Sequence, residues 1–265
     1  MTRIQPAKVA QVVAAAISYS LFGLGAIFLG LFARVISVIP GVRATTKQAW
    51  IRWHIHKGCL AFINVMRGFG LIRYTFKLDS LLKANPGHLI IANHPSLIDV
   101  VLLFAANKNL NCIVKAGMFS NVFTRALVRL AGFIPNNALD AVPLAAAKVN
   151  AGENVLIFPE GTRVDNDEKI RFKRGASNVA IAAEAPIIPV LIKCQPSALK
   201  KGDKWYNIPD GGPEFLLVSA PPLVLEECVD ITKPRTLQYR ELTRYLEHYY
   251  ENWMANNTHT PPYKH

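Results

Sequence analysis

With 265 residues the chain has room for one sizeable α/β domain and an appendage. Hydrophobic residues make up 51% of it, and the mean hydropathy of +0.20 is high for a freely soluble protein. The net charge of +12 is lopsided: residues 1–78 hold ten Lys/Arg and no acid, and within that basic third lies an uncharged apolar run, which sets nucleic acid aside in favour of an anionic membrane surface.

That run is Val9–Ala33, bracketed by Lys8 and Arg34. Its 25 residues are long enough to cross a bilayer as a helix, and spanning is preferred here over lying in one leaflet, although Gly23, Gly25 and Gly30 soften the helix. It is too long for a signal peptide and no small-x-small cleavage site precedes Arg34. Arg34, Arg43, Lys47, Arg52 and Lys57 follow it, against Arg3 and Lys8 before it, so the main domain is expected at the cytoplasmic face of the membrane.

Residues 46–67 predict an amphipathic helix, with Ile51, Ile55, Cys59, Phe62 and Met66 on one stripe. Trp50 and Trp53 suit a headgroup-level anchor; packing of the stripe against the core domain is an equally open reading. His54 and His56 read as interfacial or surface residues. The organisation expected is a membrane-anchoring segment at 1–44, an amphipathic helical segment at 45–77 and a catalytic domain at 78–265.

From Leu78 strands and helices alternate. Strands are predicted at Leu89–Ala92, Leu110–Val114, Val155–Phe158, Ile187–Ile192 and Phe215–Val218. Helices are predicted at Ser96–Asn107, Met118–Ala131, Asp140–Asn150, Arg174–Ala185 and Thr236–Met254. The fold class is α/β: a largely parallel, twisted sheet covered by helices. Lys200–Pro213 is a surface loop, the last helix carries ordinary core spacing at Leu242, Leu246, Tyr249 and Trp253, and Thr258–His265 is a frayed end. Cys59, Cys112, Cys194 and Cys228 are scattered, so neither a zinc site nor a disulfide framework is indicated, and a reducing compartment is expected.

Three stretches carry chemistry. In Leu89–Asp99 an apolar strand ends at Asn93-His94-Pro95 and a helix opens near Ser96, which places His94 at the carboxyl end of a strand. Asp99 can reach back to fix the tautomer of His94, leaving the other ring nitrogen as a base. Ser96-x-x-Asp99 also fits a helix-capping box, in which Asp99 caps and His94 is a plain loop residue. In Phe158-Pro-Glu-Gly-Thr-Arg163, Gly161 permits a tight backbone and Arg163 offers a planar fork to phosphate or carboxylate, while Glu160 can pair with Arg163 or hold a hydroxyl. Arg171-Phe-Lys-Arg-Gly175 adds cations at a helix start, either a phosphate clamp or a solvated face. Lys115 stands between a strand and a helix, with the same two readings.

Asn93-His94-x-x-x-x-Asp99 with Phe158-Pro-Glu-Gly-Thr-Arg163 resembles the lysophosphatidic acid acyltransferase superfamily of glycerolipid acyltransferases. Gly132-Phe-Ile-Pro135, Phe172-Lys-Arg-Gly175 and Ile187-Ile-Pro-Val190 fall in the order of the family's other blocks, and the resemblance covers roughly Leu78–Val224. It implies transfer of a fatty acyl group from acyl-CoA or acyl carrier protein to a lipid hydroxyl, with His94 as general base, Asp99 orienting it, and no acyl-enzyme or cofactor. Glu160, Gly161, Thr162 and Arg163 would hold the polar head of a lysolipid acceptor, with Lys115, Arg171 and Arg174 as further substrate-binding cations. Members acting on glycerol phosphates usually carry Arg in the second block; here it continues Pro135-Asn136-Asn137. Either phosphate recognition rests on Arg163 with Arg171 or Arg174, or the acceptor is a non-phosphorylated lipid or glycolipid. A thioester hydrolase and a non-catalytic lipid-binding membrane protein are the rival functions.

Overall fold

The computed structural model describes residues 6–78, 87–164 and 169–255. Two sequence readings, the frayed Thr258–His265 and the cation Arg3, lie outside them. Seven strands form one sheet: β1 (Arg73–Lys77), β2 (Leu89–Ala92), β3 (Leu110–Val114), β4 (Ile134–Pro135), β5 (Asn154–Ile157), β6 (Ile187–Gln195) and β7 (Glu214–Ser219), in the spatial order β1-β7-β6-β2-β5-β3-β4. All neighbours are parallel except β6 and β7. The expectation of a largely parallel sheet is met. The central strands β2 and β5 are buried at every position, as a continuous apolar run covered on both faces requires.

Two cores sandwich the sheet. On one face Ile90, Ala92, Leu156 and Val190 pack against α2 (Ala44–Gly68) and α3 (Asp99–Ala106). On the other Leu89, Ile91, Val155 and Ile157 meet α6 (Ala141–Asn150), α7 (Gly175–Ala183) and α9 (Arg235–Ala255). This is the period-2 division of a strand between its two faces. The helix predicted over Met118–Ala131 divides into α4 (Gly117–Ser120) and α5 (Arg125–Leu130). Asn121 breaks it: its Oδ1 accepts the amides of Phe123 at 2.9 Å and Thr124 at 3.3 Å, a local bond that competes with the helix. The sheet also takes in Arg73–Lys77, which the sequence reading leaves with the amphipathic segment, and the short α8 (Leu225–Cys228) is an addition.

The apolar N-terminal run forms α1 (Pro6–Val38), the one helix among the described residues long and apolar enough to cross a membrane. It does not leave the rest of the chain. Near its start Lys8 Nζ donates to Ile208 O at 2.5 Å and Gln11 Nε2 to Pro209 O at 3.1 Å. In its middle Tyr19 and Phe22 pack on Phe62 of α2, with ring centroids 5.6 and 4.4 Å apart. Near its end Arg34 donates to Val122 O, and Gly30 lies so close to Phe123 O that a side chain there would collide. The opposite face presents Val9, Val13, Ile17, Leu21, Leu24, Phe28, Leu31 and Val35 outward, a stripe at helical spacing.

The predicted stripe of α2 is buried throughout, against the core rather than against lipid, and Trp50 and Trp53 are the large apolar side chains of this helix that face out. Arg52, counted above among the basic residues flanking the apolar run, is a structural residue instead. It is buried, with Nη2 on Glu153 Oε2 at 2.5 Å, Nη1 on Asn109 Oδ1 at 3.0 Å and Nε on Ala131 O at 2.9 Å. It ties α2 to the amino ends of β3 and β5. Glu153 would keep Lys148 Nζ at 3.2 Å and Asn111 Nδ2 at 2.9 Å, but Arg52→Ala deletes a buried charge-assisted pair and two further bonds and is expected to cost about 3 kcal/mol, read as a Tm several degrees lower in thermal unfolding.

Candidate active site

Parallel register assembles the site. Ile91 of β2 is opposite Ile157 of β5 and Pro189 of β6. Continued three residues beyond the strands, that register sets His94 beside Glu160 and Ile192. On the far side of β5, Val114 is opposite Pro135, so Lys115 and Asn136 emerge at the same edge. The two motif-bearing loops therefore open together at the carboxyl ends of neighbouring strands, as open α/β sites do.

The His94 loop is fixed at three points. The Asn93 amide clasps β6, with Nδ2 donating to Ile192 O at 2.9 Å and Oδ1 accepting Ile192 N–H at 2.7 Å. The backbone N–H of His94 donates to Glu160 Oε2 at 3.0 Å, and its carbonyl accepts Val164 N–H at 3.0 Å. Beneath, the Tyr250 hydroxyl accepts Val190 N–H at 3.1 Å and donates to Ile91 O at 2.5 Å, bridging β2 and β6 just before the loop begins. Tyr250 comes from the last helix, and nothing in its spacing separates it from ordinary core residues.

His94 Nδ1 lies 2.9 Å from Asp99 Oδ2. Asp99 is fully buried, whereas the His94 side chain is 18% exposed, and Nε2 is the ring nitrogen that Asp99 leaves unengaged. The helix opens at Asp99 rather than at Ser96. Ser96 donates twice to that carboxylate, through its N–H at 2.6 Å and its hydroxyl at 2.5 Å. The capping contact and the histidine contact thus coexist on one side chain. Burial pushes the Asp99 carboxyl above the usual carboxylate range, against the pull of the His94 and Ser96 bonds. The Phe158 ring lies against His94 with centroids 4.4 Å apart and confines it from the other side.

Gly161 turns with φ +71°, which only glycine adopts freely. A methyl group there would meet Lys173 Nζ at 2.8 Å and Cε at 3.0 Å. Lys173 is held over the turn by its own N–H, bonded to Pro159 O at 2.8 Å. Lys173 was seen in sequence only as one of a run of cations; its side chain reaches the turn because residues 171–174 run back alongside it. Arg163 is turned elsewhere: its Nη1 donates to Leu199 O at 3.0 Å and Lys200 O at 2.9 Å. Thr162 and Lys115 are exposed, and Asn136 Oδ1 accepts Ala116 N–H at 3.1 Å, holding the Lys115 loop. Arg171 is exposed, and Arg174 lines a separate cleft against α9. The structure gathers His94, Asp99, Glu160, Gly161 and Lys173; it leaves Arg174 apart and gives the Arg163 Nη1 a structural task.

Glu160 is buried, and that burial pushes its carboxyl up to about 8; the Asp99 charge adds to the rise and the His94 N–H opposes it. An acid raised in the folded state loses stability as pH climbs, because the unfolded chain gives up its proton first. The loss runs from about 4.5, the ordinary value, to about 8. Glu160→Gln keeps an oxygen for His94 N–H and removes the titration. Its Tm is expected to fall less than that of the native chain between pH 6 and 9, the difference being on the order of 2 kcal/mol in denaturation at the alkaline end.

Residues 73–193 match the family model Acyltransferase. Over 121 residues the chain is 25% identical to a chloroplastic 1-acyl-sn-glycerol-3-phosphate acyltransferase of Brassica napus, covering 43% of this chain and 35% of the relative. It is 25% identical over 154 residues to human 1-acyl-sn-glycerol-3-phosphate acyltransferase beta, covering 55% of each. It is 31% identical over 131 residues to a putative 1-acyl-sn-glycerol-3-phosphate acyltransferase of Caenorhabditis elegans, covering 45% of each. The chain thus spans from about a third to just over half the length of these relatives. The crystal structure of the 1-acyl-sn-glycerophosphate acyltransferase PlsC from Thermotoga maritima has the same fold, with a TM-score of 0.65, 18% identity, and coverage of 91% of this chain and 97% of that one. The matched block carries both site loops, so the likeness to acyltransferases covers the candidate site itself.

Proposed function

We propose that this chain is an O-acyltransferase working at a membrane surface. It moves a fatty acyl group from a thioester of CoA or carrier protein to the free hydroxyl of a lysophospholipid such as 1-acylglycerol-3-phosphate. The observation that carries the reading is the 2.9 Å contact of His94 Nδ1 with the fully buried Asp99, beside the Glu160–Gly161 turn. With Nδ1–H donated to Asp99, Nε2 keeps its lone pair and takes the proton of the acceptor hydroxyl as that oxygen attacks the thioester carbonyl. Asp99 stabilises the imidazolium formed, as in a catalytic triad. Collapse of the tetrahedral intermediate breaks the carbon–sulfur bond, and the proton passes from Nε2 to the leaving thiolate. No covalent acyl-enzyme is needed.

For the acceptor's phosphate the reading favours Lys173 over Arg163. Lys173 lies across Gly161, next to Glu160, whereas Arg163 is engaged by two backbone carbonyls. This supports a phosphorylated acceptor despite Asn136 and Asn137 where an arginine is usual.

The membrane reading is refined by α1. A 33-residue helix is about 50 Å long, enough to cross a bilayer with length to spare. Both of its ends nevertheless hold the same domain, through Lys8 and Gln11 at one and Arg34 at the other. We therefore read α1 as lying along the protein with its outward apolar stripe in one leaflet, in place of the spanning arrangement expected from length.

His94→Ala is expected to abolish transfer of labelled acyl groups to a lysolipid in membranes containing the protein, with folding and membrane attachment intact. Asp99→Asn should lower kcat by a factor on the order of 10³ or more by permitting the wrong tautomer. Full turnover by His94→Ala would overthrow the assignment, and release of free fatty acid at the same rate with or without lysolipid would favour the hydrolase. Lys173→Met should raise KM for 1-acylglycerol-3-phosphate roughly tenfold while sparing monoacylglycerol, since it removes one charge-assisted contact.

A further inference from the structure

The segment Phe172–Arg174 separates two places in the fold. Lys173 points over Gly161, and its neighbours on either side point the other way, toward α9. There Phe172, Arg174, Arg240, Thr243, Arg244 and Glu247 line a cleft of about 360 Å³. Its wall is cationic. Arg240 and Arg244 are one helical turn apart on α9 and so share a face. Arg174 immediately precedes α7, which has no acid in its first turn, so the amino end of that helix adds positive potential beside the cleft. The acid present, Glu247, is occupied: its Oε1 accepts Phe172 N–H at 2.7 Å. Among the described residues no carboxylate pairs with any of the three arginines.

We propose that this cleft binds the nucleotide phosphates of an acyl-CoA donor. The proposal rests on the acyl-transfer reading above and names the donor for it. Three guanidinium forks around one concavity repel each other until an anion enters, and planar forks suit phosphate oxygens. The volume matches a small-molecule site, whereas a carrier protein would need a docking face several times broader. The position also fits. In acyl-CoA the pantetheine arm separates the thioester from the phosphates, so the charged handle must dock some way from His94. The cleft begins one residue beyond Lys173, which itself touches the catalytic turn. Free phosphate and phosphorylated lipid share the same chemistry, and the test separates them from CoA.

The test compares the full-length chain with the variant R240Q/R244Q, both changes being at exposed positions of α9. Initial rates are measured with palmitoyl-CoA, with palmitoyl-pantetheine, which has the same thioester and no phosphate, and with palmitoyl carrier protein. Expected is a rise in KM for palmitoyl-CoA of at least about tenfold, with kcat within about twofold and no change in KM for palmitoyl-pantetheine. An equal rise for both small donors, no rise at all, or a rise confined to the carrier protein would overturn the proposal. So would a rise in KM for 1-acylglycerol-3-phosphate, or loss of the palmitoyl-CoA preference on adding millimolar inorganic phosphate but not CoA. Should the native chain transfer to no acceptor, the acyl-transfer reading fails by itself. Calorimetric titration of CoA into the detergent-solubilised chain then decides: binding that R240Q/R244Q abolishes sustains the cleft, and absence of binding to the native chain refutes it.

Discussion

The parallel pairing of β2 with β5 is the constraint on which the site depends. Two segments some 66 residues apart, each only four residues long as a strand, leave the sheet side by side because Leu89, Ile90 and Ile91 are registered on Val155, Leu156 and Ile157. A slip of one residue would exchange the two faces of the sheet and carry His94 away from Glu160. What enforces the register is burial of alternate residues in two separate cores, so the hydrophobic packing of the interior sets the geometry of a polar site above it. Asn93 and Tyr250 extend this control past the last strand bond, one from the loop and one from α9.

Buried carboxyls dominate the electrostatics there. Asp99 and Glu160 are both sequestered, and the Asp99 charge raises the cost of ionising Glu160. The chain divides the two roles by donors. Asp99 receives His94 and two bonds from Ser96, whereas Glu160 receives one backbone N–H. The better-served group is suited to carry the negative charge beside the imidazole, and the other to stay neutral as a brace for the loop backbone. Environments that push paired acids apart in this way are a recurring device for separating their tasks.

Much of this was legible in the amino-acid order. Leu89–Ala92 and Val155–Ile157 are unbroken apolar runs closed by turn residues, the signature of strands covered on both faces. The capping pattern at Ser96 and Asp99 and the glycine at position 161 marked the two loops. What escaped detection depends on contacts distant in sequence. β1 alternates the exposed Arg73, Thr75 and Lys77 with the half-buried Tyr74 and Phe76 at a sheet edge, so it lacks the apolar run of its neighbours. Tyr250 bonds a carbonyl 159 residues away, and Arg163 bonds carbonyls 36 and 37 residues on. Lys173 looked like one more solvated cation until the backbone folded it over Gly161. The posture of α1 was equally hidden, since length and hydropathy describe a helix and not what its ends hold.

The seating of α1 has a wider consequence. Tyr19 and Phe22 close over Phe62, while Ala15, Ala33 and Ile36 are as deeply enclosed as any sheet residue. The hydrophobic leader is thus an integral wall of the fold and not a detachable tether. Exchanging it for a foreign membrane helix of equal greasiness would leave α2 with an uncovered flank, and the loop at Ile208–Pro209, whose earlier residues steady Arg163, would lose its moorings. The outward apolar stripe of α1 and the shape of the candidate site are in that sense inherited together.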